Sequence, residues 1–323
     1  MDLAPIVLFM YNRPWHAQQT VEALRKNALA AESDLFVFCD GPKDESQREK
    51  VRQVRYYVKA VDGFRRITVV ERPENLGLAA SIIAGVTQIV NGHGKVIVLE
   101  DDIITSPYFL TYMNQALEMY ADEERVMSVT GHNFPVWAKL PETFFIYGGA
   151  STQGWGTWKR AWAKFNPNAS DLLEQLMNHK ELIQRFNFGG TYNYLQMLSD
   201  NAAGKNDSWG VRWYASVFLQ GGYGLWPRWS LVNNIGFDNT GRHCGVTDVF
   251  NVSQLADNIR VSRIPIEEYA QARKAISDFY RRLQSGDAGL KHRAQRLVRS
   301  CRRHCEKYWG NNSYNSCPRR RSP

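Results

Sequence analysis

The chain has 323 residues, 44% hydrophobic and 22% charged, the proportions of a soluble globular protein large enough for a substantial core. No apolar run approaches the roughly 18 to 20 residues of a membrane span. The net charge of +8 is concentrated at one end: after residue 290, ten Lys and Arg face a single acid, Glu306, so residues 1–290 carry only −1.

The first ten residues have no basic leader and run directly into strand-like sequence, so a cytoplasmic protein without a secretory signal is expected. The five cysteines (Cys39, Cys244, Cys301, Cys305, Cys317) are odd in number and lack a framework spacing, which suits reduced thiols. Cys301, His304, Cys305 and Cys317 match no common zinc pattern. Asn168, Asn206, Asn251 and Asn311 each open an Asn-x-Ser sequon, read as chance matches in a chain without a leader.

In chain order, Ile6 to Met10 reads as a first strand ending in Tyr11-Asn12-Arg13-Pro14. A helix follows from Trp15 to about Ala28, with Val21 and Leu24 facing inward. Leu35 to Cys39 is a second strand stopped by Asp40-Gly41-Pro42, and a charged helix covers about Ser46 to Lys59. Ile67 to Val70 is a third strand, and Ala79 to Val90 a helix broken at Gly92-His93-Gly94. The short alternation of strands and helices predicts an α/β fold: a mostly parallel, doubly wound sheet with helices on both faces.

The fourth strand ends in Val98-Leu99-Glu100-Asp101-Asp102. Ligands of parallel sheets bind beyond the carboxyl ends of the strands. Three adjacent carboxylates there repel one another unless a cation or hydrogen-bonding ligand offsets them. The run reads either as a divalent-metal site for a phosphate-bearing substrate or as a solvated acidic turn. A helix from Ser106-Pro107 to about Tyr120 and a strand from Val126 to Thr130 come next. The second half is rich in Trp and Gly, with loop-like segments such as Gly154-Trp155-Gly156-Thr157-Trp158. Neither G-x-G-x-x-G after the first strand nor G-x-x-x-x-G-K-[ST] is present, which argues against dinucleotide dehydrogenases and P-loop enzymes. From about Ile266 to His304 the chain reads helical, with breaks near Gly286 and Gly289.

From Pro5 to about Gly245 the pattern resembles nucleotide-diphospho-sugar glycosyltransferases of the GT-A fold. Among these it is most similar to the inverting N-acetylglucosaminyltransferase I family and its bacterial sugar-transferase relatives. The matching residues are Val7 to Arg13, Asp40 after the second strand, Val98 to Asp102, and Asn206-Asp207-Ser208-Trp209. The resemblance implies that Arg13 approaches the donor diphosphate and that Asp40 and Ser81 lie near the nucleotide base. Asp102 would bind Mn2+ or Mg2+, Glu100 and Asp101 would contact sugar, ribose or metal water, and Asp207 would be the catalytic base. Two departures stand out: Ser208 replaces the second aspartate of the family's base motif, and Ser81 takes the place of a histidine.

His243 reads as a further metal ligand or a hydrogen-bonded loop histidine. Trp155, Trp158 and Trp209 read as acceptor-stacking rings or as core. The expected division is a nucleotide-sugar half (1–130), an acceptor and base half (131–265) and a helical basic extension (266–323).

The resemblance implies a metal-dependent, inverting transferase that uses a UDP-sugar, UDP-GlcNAc being one candidate. Its acceptor would be a glycan or lipid-linked saccharide in bacterial surface polysaccharide synthesis. The alternatives are a sugar-nucleotide nucleotidyltransferase, for which no amino-terminal Gly-rich phosphate loop exists, and a basic-tailed nucleic-acid binder, for which no reading module exists. The tail itself reads as a peripheral anchor to anionic lipid or as a solvated, disordered end.

Overall fold

A computed structural model describes residues 2–136, 138–240, 247, 249–252 and 254–285. The first half alternates as its hydrophobic pattern requires. Strand β1 (Ile6–Met10) is followed by α1 (Pro14–Arg25), β2 (Asp34–Cys39) and α2 (Glu45–Lys59). Next come β3 (Arg66–Glu71), α3 (Leu78–His93) and β4 (Lys95–Glu100). Pro14 starts α1 where its fixed φ and missing N–H are tolerated. Ala17, Val21 and Leu24 then bury one face of the helix. In the otherwise charged α2, Val51, Val54 and Val58 supply the buried stripe.

The chain continues through β5 (Ile103–Thr105), α4 (Phe109–Met119), β6 (Val126–Thr130), β7 (Thr143–Tyr147) and β8 (Trp155–Trp158). Five helices come after β8: α5 (Lys159–Trp162), α6 (Ala169–Asn178), α7 (Lys180–Phe186), α8 (Tyr194–Ala202) and α9 (Trp209–Leu219). Strands β9 (Tyr223–Pro227) and β10 (Val232–Asn234) and helix α10 (Ala270–Gln284) complete the described elements.

Eight strands form one sheet in the order β3-β2-β1-β4-β8-β6-β9-β7, and β10 pairs with β5 in a small second sheet. Strands β1 to β4, β6 and β9 run in one direction, with β8 and β7 against them. This is the mostly parallel α/β sheet expected from the sequence, consistent with the GT-A type. Successive strand residues point to opposite faces, so the unbroken burial of β1, β6 and the middle of β4 requires cover on both.

One expectation is corrected here. Gly154 to Trp158 is not a loop-like segment: its last four residues are β8, antiparallel between β4 and β6 in the middle of the sheet. Its alternating Gly and Trp hide the strand pattern, but they suit the position. A Cβ on Gly156 would press on the Val96 carbonyl and Met113, while Trp155 and Trp158 are buried. Trp155 packs against Trp162, Trp209 and Trp213 with ring centroids 5.3 to 5.9 Å apart, and Trp158 donates its Nε1–H to the Leu117 carbonyl at 2.9 Å.

The main core surrounds the parallel half of the sheet. A second apolar cluster, including Phe144, Phe186, Tyr214, Phe218 and Phe279, ties α6, α9 and α10 to the β9–β7 edge. Among the described residues no helix is long and apolar enough to cross a membrane. The basic tail beyond Gln284 and Ser285, its cysteines, and His243 lie outside the described residues.

With Trp155 in the core, Trp155→Ala should cost about 3 to 5 kcal/mol of folding stability, measured as a lowered denaturant midpoint. A side chain that only stacked on an acceptor would leave that midpoint unchanged.

Candidate active site

Strands β1 and β4 are direct neighbours, with Phe9 opposite Glu100, so both chains leave the sheet side by side at the carboxyl rim. From β1 the chain delivers Arg13, and from β4 it delivers Glu100, Asp101 and Asp102. Arg13 Nη2 donates to Asp101 Oδ1 and, at 2.9 Å, to Asp102 Oδ2. The three side chains are 16%, 6% and 11% exposed, so this is a largely desolvated ion cluster. Thr20 on α1 donates its hydroxyl to the Asp101 carbonyl at 2.8 Å, fixing the turn from a second side.

The loop after β10 closes the third side: Ile235 N–H donates to the Asp102 carbonyl at 2.9 Å. Gly236 lies so close that a Cβ there would collide with Asp102 Oδ2 and crowd Arg13 Nη1. Two residues on, Asp238 Oδ2 is 3.1 Å from His16 Nε2.

One guanidinium faces three carboxylates, and the protonation equilibria record the imbalance. Burial, then Asp102 and Asp101, push the Glu100 carboxyl up to about 8 despite the opposing pull of Arg13. Burial also raises Asp101, against the pull of Arg13. Burial alone would lower the Arg13 guanidinium, but Asp101 and Asp102 outweigh it and hold it firmly charged. Arg13 Nη1 is buried with no hydrogen-bond partner among the described residues. The cluster therefore retains excess negative charge together with one unused cationic donor, a combination suited to a metal–diphosphate ligand.

No group of three or more His, Cys, Asp or Glu side chains among the described residues could by itself hold a metal ion. Asp102 and Asp101 remain as a one- or two-carboxylate donor set. Such a set fits a hard divalent cation that takes its other ligands from substrate phosphates and water.

Asp40 and Ser81 are at the same rim, but one binds loop backbone and the other the Arg72 side chain. Asp40 Oδ1 accepts from Leu76 N–H at 3.0 Å and Oδ2 from Gly77 N–H at 3.1 Å, shaping the loop into α3. Gly77 has φ +78, a conformation that glycine adopts without strain. Ser81 is buried, its hydroxyl and carbonyl both taken by Arg72. The described contacts of these two residues are thus those of loop builders.

Asp207 is half-buried in the loop before α9. Ser208 caps that helix, its Oγ accepting from Val211 N–H at 3.4 Å, so the hydroxyl that replaces the family's second aspartate has a structural task. Position in the sheet brings this loop to the acidic rim. Strand β8 is antiparallel to β4, so the residues before it lie beside the end of β4, and Gly210 packs on Thr152 in that stretch. Trp209 is buried against Trp155, and none of Trp155, Trp158 and Trp209 presents a face to a sugar.

Several rim residues were missed at the level of sequence. His132 comes after β6, whose end is at this rim because Gly131 N–H donates to the Gly154 carbonyl. Burial pushes its imidazole down to about 4, so it is neutral at pH 7. Its Nδ1 is 3.4 Å from Ser151 Oγ. Trp229, after β9, and Trp15, beside Arg13, are 48% and 58% exposed, two tryptophans open to solvent among the described residues. The available signal was position: each lies just past a strand that ends at the acidic rim. Cys39 is buried, with its thiol pushed up to about 12, and is chemically inert.

No protein-family model matches the chain, and no curated protein matches it. Solved structures of similar shape include S. aureus TarS 1-349, at 11% identity and TM-score 0.40 over 71% of this chain and 59% of that one. A longer TarS structure matches over only 28% of its length. Mannosyltransferase PcManGT from Pyrobaculum calidifontis, in complex with GDP-Man and Mn2+, has 13% identity and TM-score 0.38 over 68% and 72% of the two chains. A putative nucleotide-diphospho-sugar transferase from Desulfovibrio desulfuricans G20 has 16% identity and TM-score 0.33 over 53% and 68%. At this distance the likenesses carry no argument about activity.

The Glu100 carboxyl sets a pH dependence. Its folded value lies above the ordinary 4.5, so the folded protein loses stability as pH rises from about 4.5 to about 8. Glu100→Gln should therefore raise stability by about 1 to 3 kcal/mol at pH 8 and by almost nothing below pH 4.5, read from denaturation curves without added metal.

Proposed function

We propose that the chain is a metal-dependent, inverting glycosyltransferase. It moves a sugar from a nucleotide-diphospho-sugar, a UDP-sugar such as UDP-GlcNAc, to a hydroxyl of a glycan or lipid-linked acceptor. One observation carries this reading: Asp101 and Asp102, beside Glu100 at the end of β4, share a single arginine whose second nitrogen has no partner among the described residues. An isolated acidic turn would be solvated, whereas this cluster is desolvated and closed over by Gly236.

Each residue has a role that its chemistry suits. Asp102, with Asp101, would hold Mn2+ or Mg2+, which when bound neutralises charge on the departing diphosphate. Arg13 adds a fixed cationic donor through Nη1 to a phosphate oxygen. Glu100, whose raised equilibrium favours the protonated form near neutral pH, can donate a hydrogen bond to a sugar or ribose hydroxyl. Asp207 takes the proton from the acceptor hydroxyl as that oxygen attacks the anomeric carbon. Attack from the face opposite the diphosphate inverts the configuration. Ser208, a neutral hydroxyl that caps α9 and is too weak a base for this step, leaves it to Asp207. The basic residues after 290 fit electrostatic attachment to anionic membranes, where a lipid-linked acceptor resides.

With Mn2+ and a panel of nucleotide sugars, the protein should release nucleoside diphosphate. Asp102→Ala and Asp207→Asn should each reduce that rate by about 10²- to 10⁴-fold without unfolding the protein. Undiminished turnover in Asp102→Ala after chelation of all divalent metal would refute the assignment.

A further inference from the structure

A cleft of about 490 Å³ opens between α8 and the end of α10, within the ordinary size range of small-ligand sites. One wall is Asn206, the residue before Asp207. A series of packed rings runs from the acidic cluster toward the other wall. Phe237, next to Gly236, stacks on Phe250 at 5.1 Å, Phe250 meets Phe279 at 5.9 Å, and Phe279 adjoins Tyr280 in the cleft lining.

The chemistry of the walls is specific. Tyr192 is half-buried, its ring held against Tyr194 and Tyr280 at 4.4 and 4.8 Å, so a rigid aromatic surface faces the opening. Around it are side-chain groups half used by the protein. Gln196 donates to Asp200 Oδ1 at 3.0 Å, leaving Gln196 Oε1 and Asp200 Oδ2 as acceptors. Gln284 donates to the Thr191 carbonyl at 3.0 Å, leaving its Oε1. Asn193 accepts from Gln196 N–H through Oδ1, leaving its amide N–H groups as donors.

Among the described residues no Lys or Arg lines the cleft, and its one carboxylate, Asp200, is already paired with Lys205 at 3.3 Å, so the walls offer no cation to hold a phosphate or nucleotide. An aromatic platform surrounded by neutral donors and acceptors matches a ligand with apolar ring faces and hydroxyl edges. We propose that this cleft is the acceptor-saccharide subsite, holding a neutral sugar unit of the acceptor next to Asp207. The assignment rests on the glycosyltransferase reading for the word acceptor, but not for the binding itself.

The test uses the full-length protein and saturation-transfer NMR with chitotriose, maltotriose and lactose at millimolar concentration. Binding of nucleotide sugar with Mn2+ is followed separately by thermal shift. At least one saccharide should bind. The double variant Gln196→Ala with Gln284→Ala, at exposed positions, should weaken that binding by about tenfold while nucleotide-sugar binding is unchanged. No saccharide signal in a protein that binds nucleotide sugar, or a signal indifferent to the double variant, would overturn the subsite. Saccharide binding at the cleft without nucleotide-sugar binding would leave the subsite standing and remove the donor reading instead.

Discussion

Three carboxylates in succession at the end of a buried strand are a source of strain, and the placement of Arg13 contains it. The guanidinium bridges Asp101 and Asp102 from the neighbouring strand, so two distant stretches of chain are joined by a desolvated ion cluster. Breaking one partner of such a cluster leaves a buried charge uncompensated, a cost far greater than the loss of a surface pair. Thr20 and the loop at Ile235 and Gly236 then fit around a geometry the charges have already set. The containment is incomplete: burial first, then Asp102 and Asp101, drive Glu100 toward protonation, and the two aspartates still outnumber the one guanidinium.

The rim is a product of strand direction. Six strands point the same way, so the residues just past their carboxyl ends collect at one edge: Asp40, the acidic cluster, His132 and Trp229. Antiparallel β8 contributes the residues that precede it, which bring α9 and Asp207 to the same place. Proximity does not give every polar residue at this rim the same task. Asp40 and Ser81 are occupied by backbone amides and Arg72, and they shape the entry into α3.

The second half builds its own core from aromatic rings set among aliphatic side chains such as Leu172, Leu176, Leu198 and Ile276. Tyr192, Tyr194, Tyr214 and Tyr280 pack as tilted rings, with Tyr194 and Tyr280 hydroxyls 3.0 Å apart. Rings with few rotatable bonds make stiff walls, and a cleft between stiff walls stays open without a ligand to prop it. The same aromatic packing passes through Phe250 and Phe237 to the glycine that covers Asp102, adding a loop contact to the strand pairing that already joins the two halves.

The parallel half was legible in the sequence because its period was unmixed. Apolar runs at Ile6, Leu35, Ile67 and Val96 alternate with helical stripes such as Val51, Val54 and Val58, and turn residues separate them. The acidic triplet was legible for the same reason, since adjacent charges at the end of a buried run need a partner. The strand hidden in Gly154 to Trp158 was not, because a strand built from glycine and tryptophan has no distinct local pattern and exists only through its pairing with β4 and β6. Nor could sequence sort the tryptophans: Trp155 and Trp229 are the same residue type, and only packing buries one and exposes the other. Local chemistry fixed which residues could carry charge and where strands would end. Tertiary contacts alone decided which of those charges would be paired, capped or left with an open bond, because pairing depends on neighbours far away along the chain.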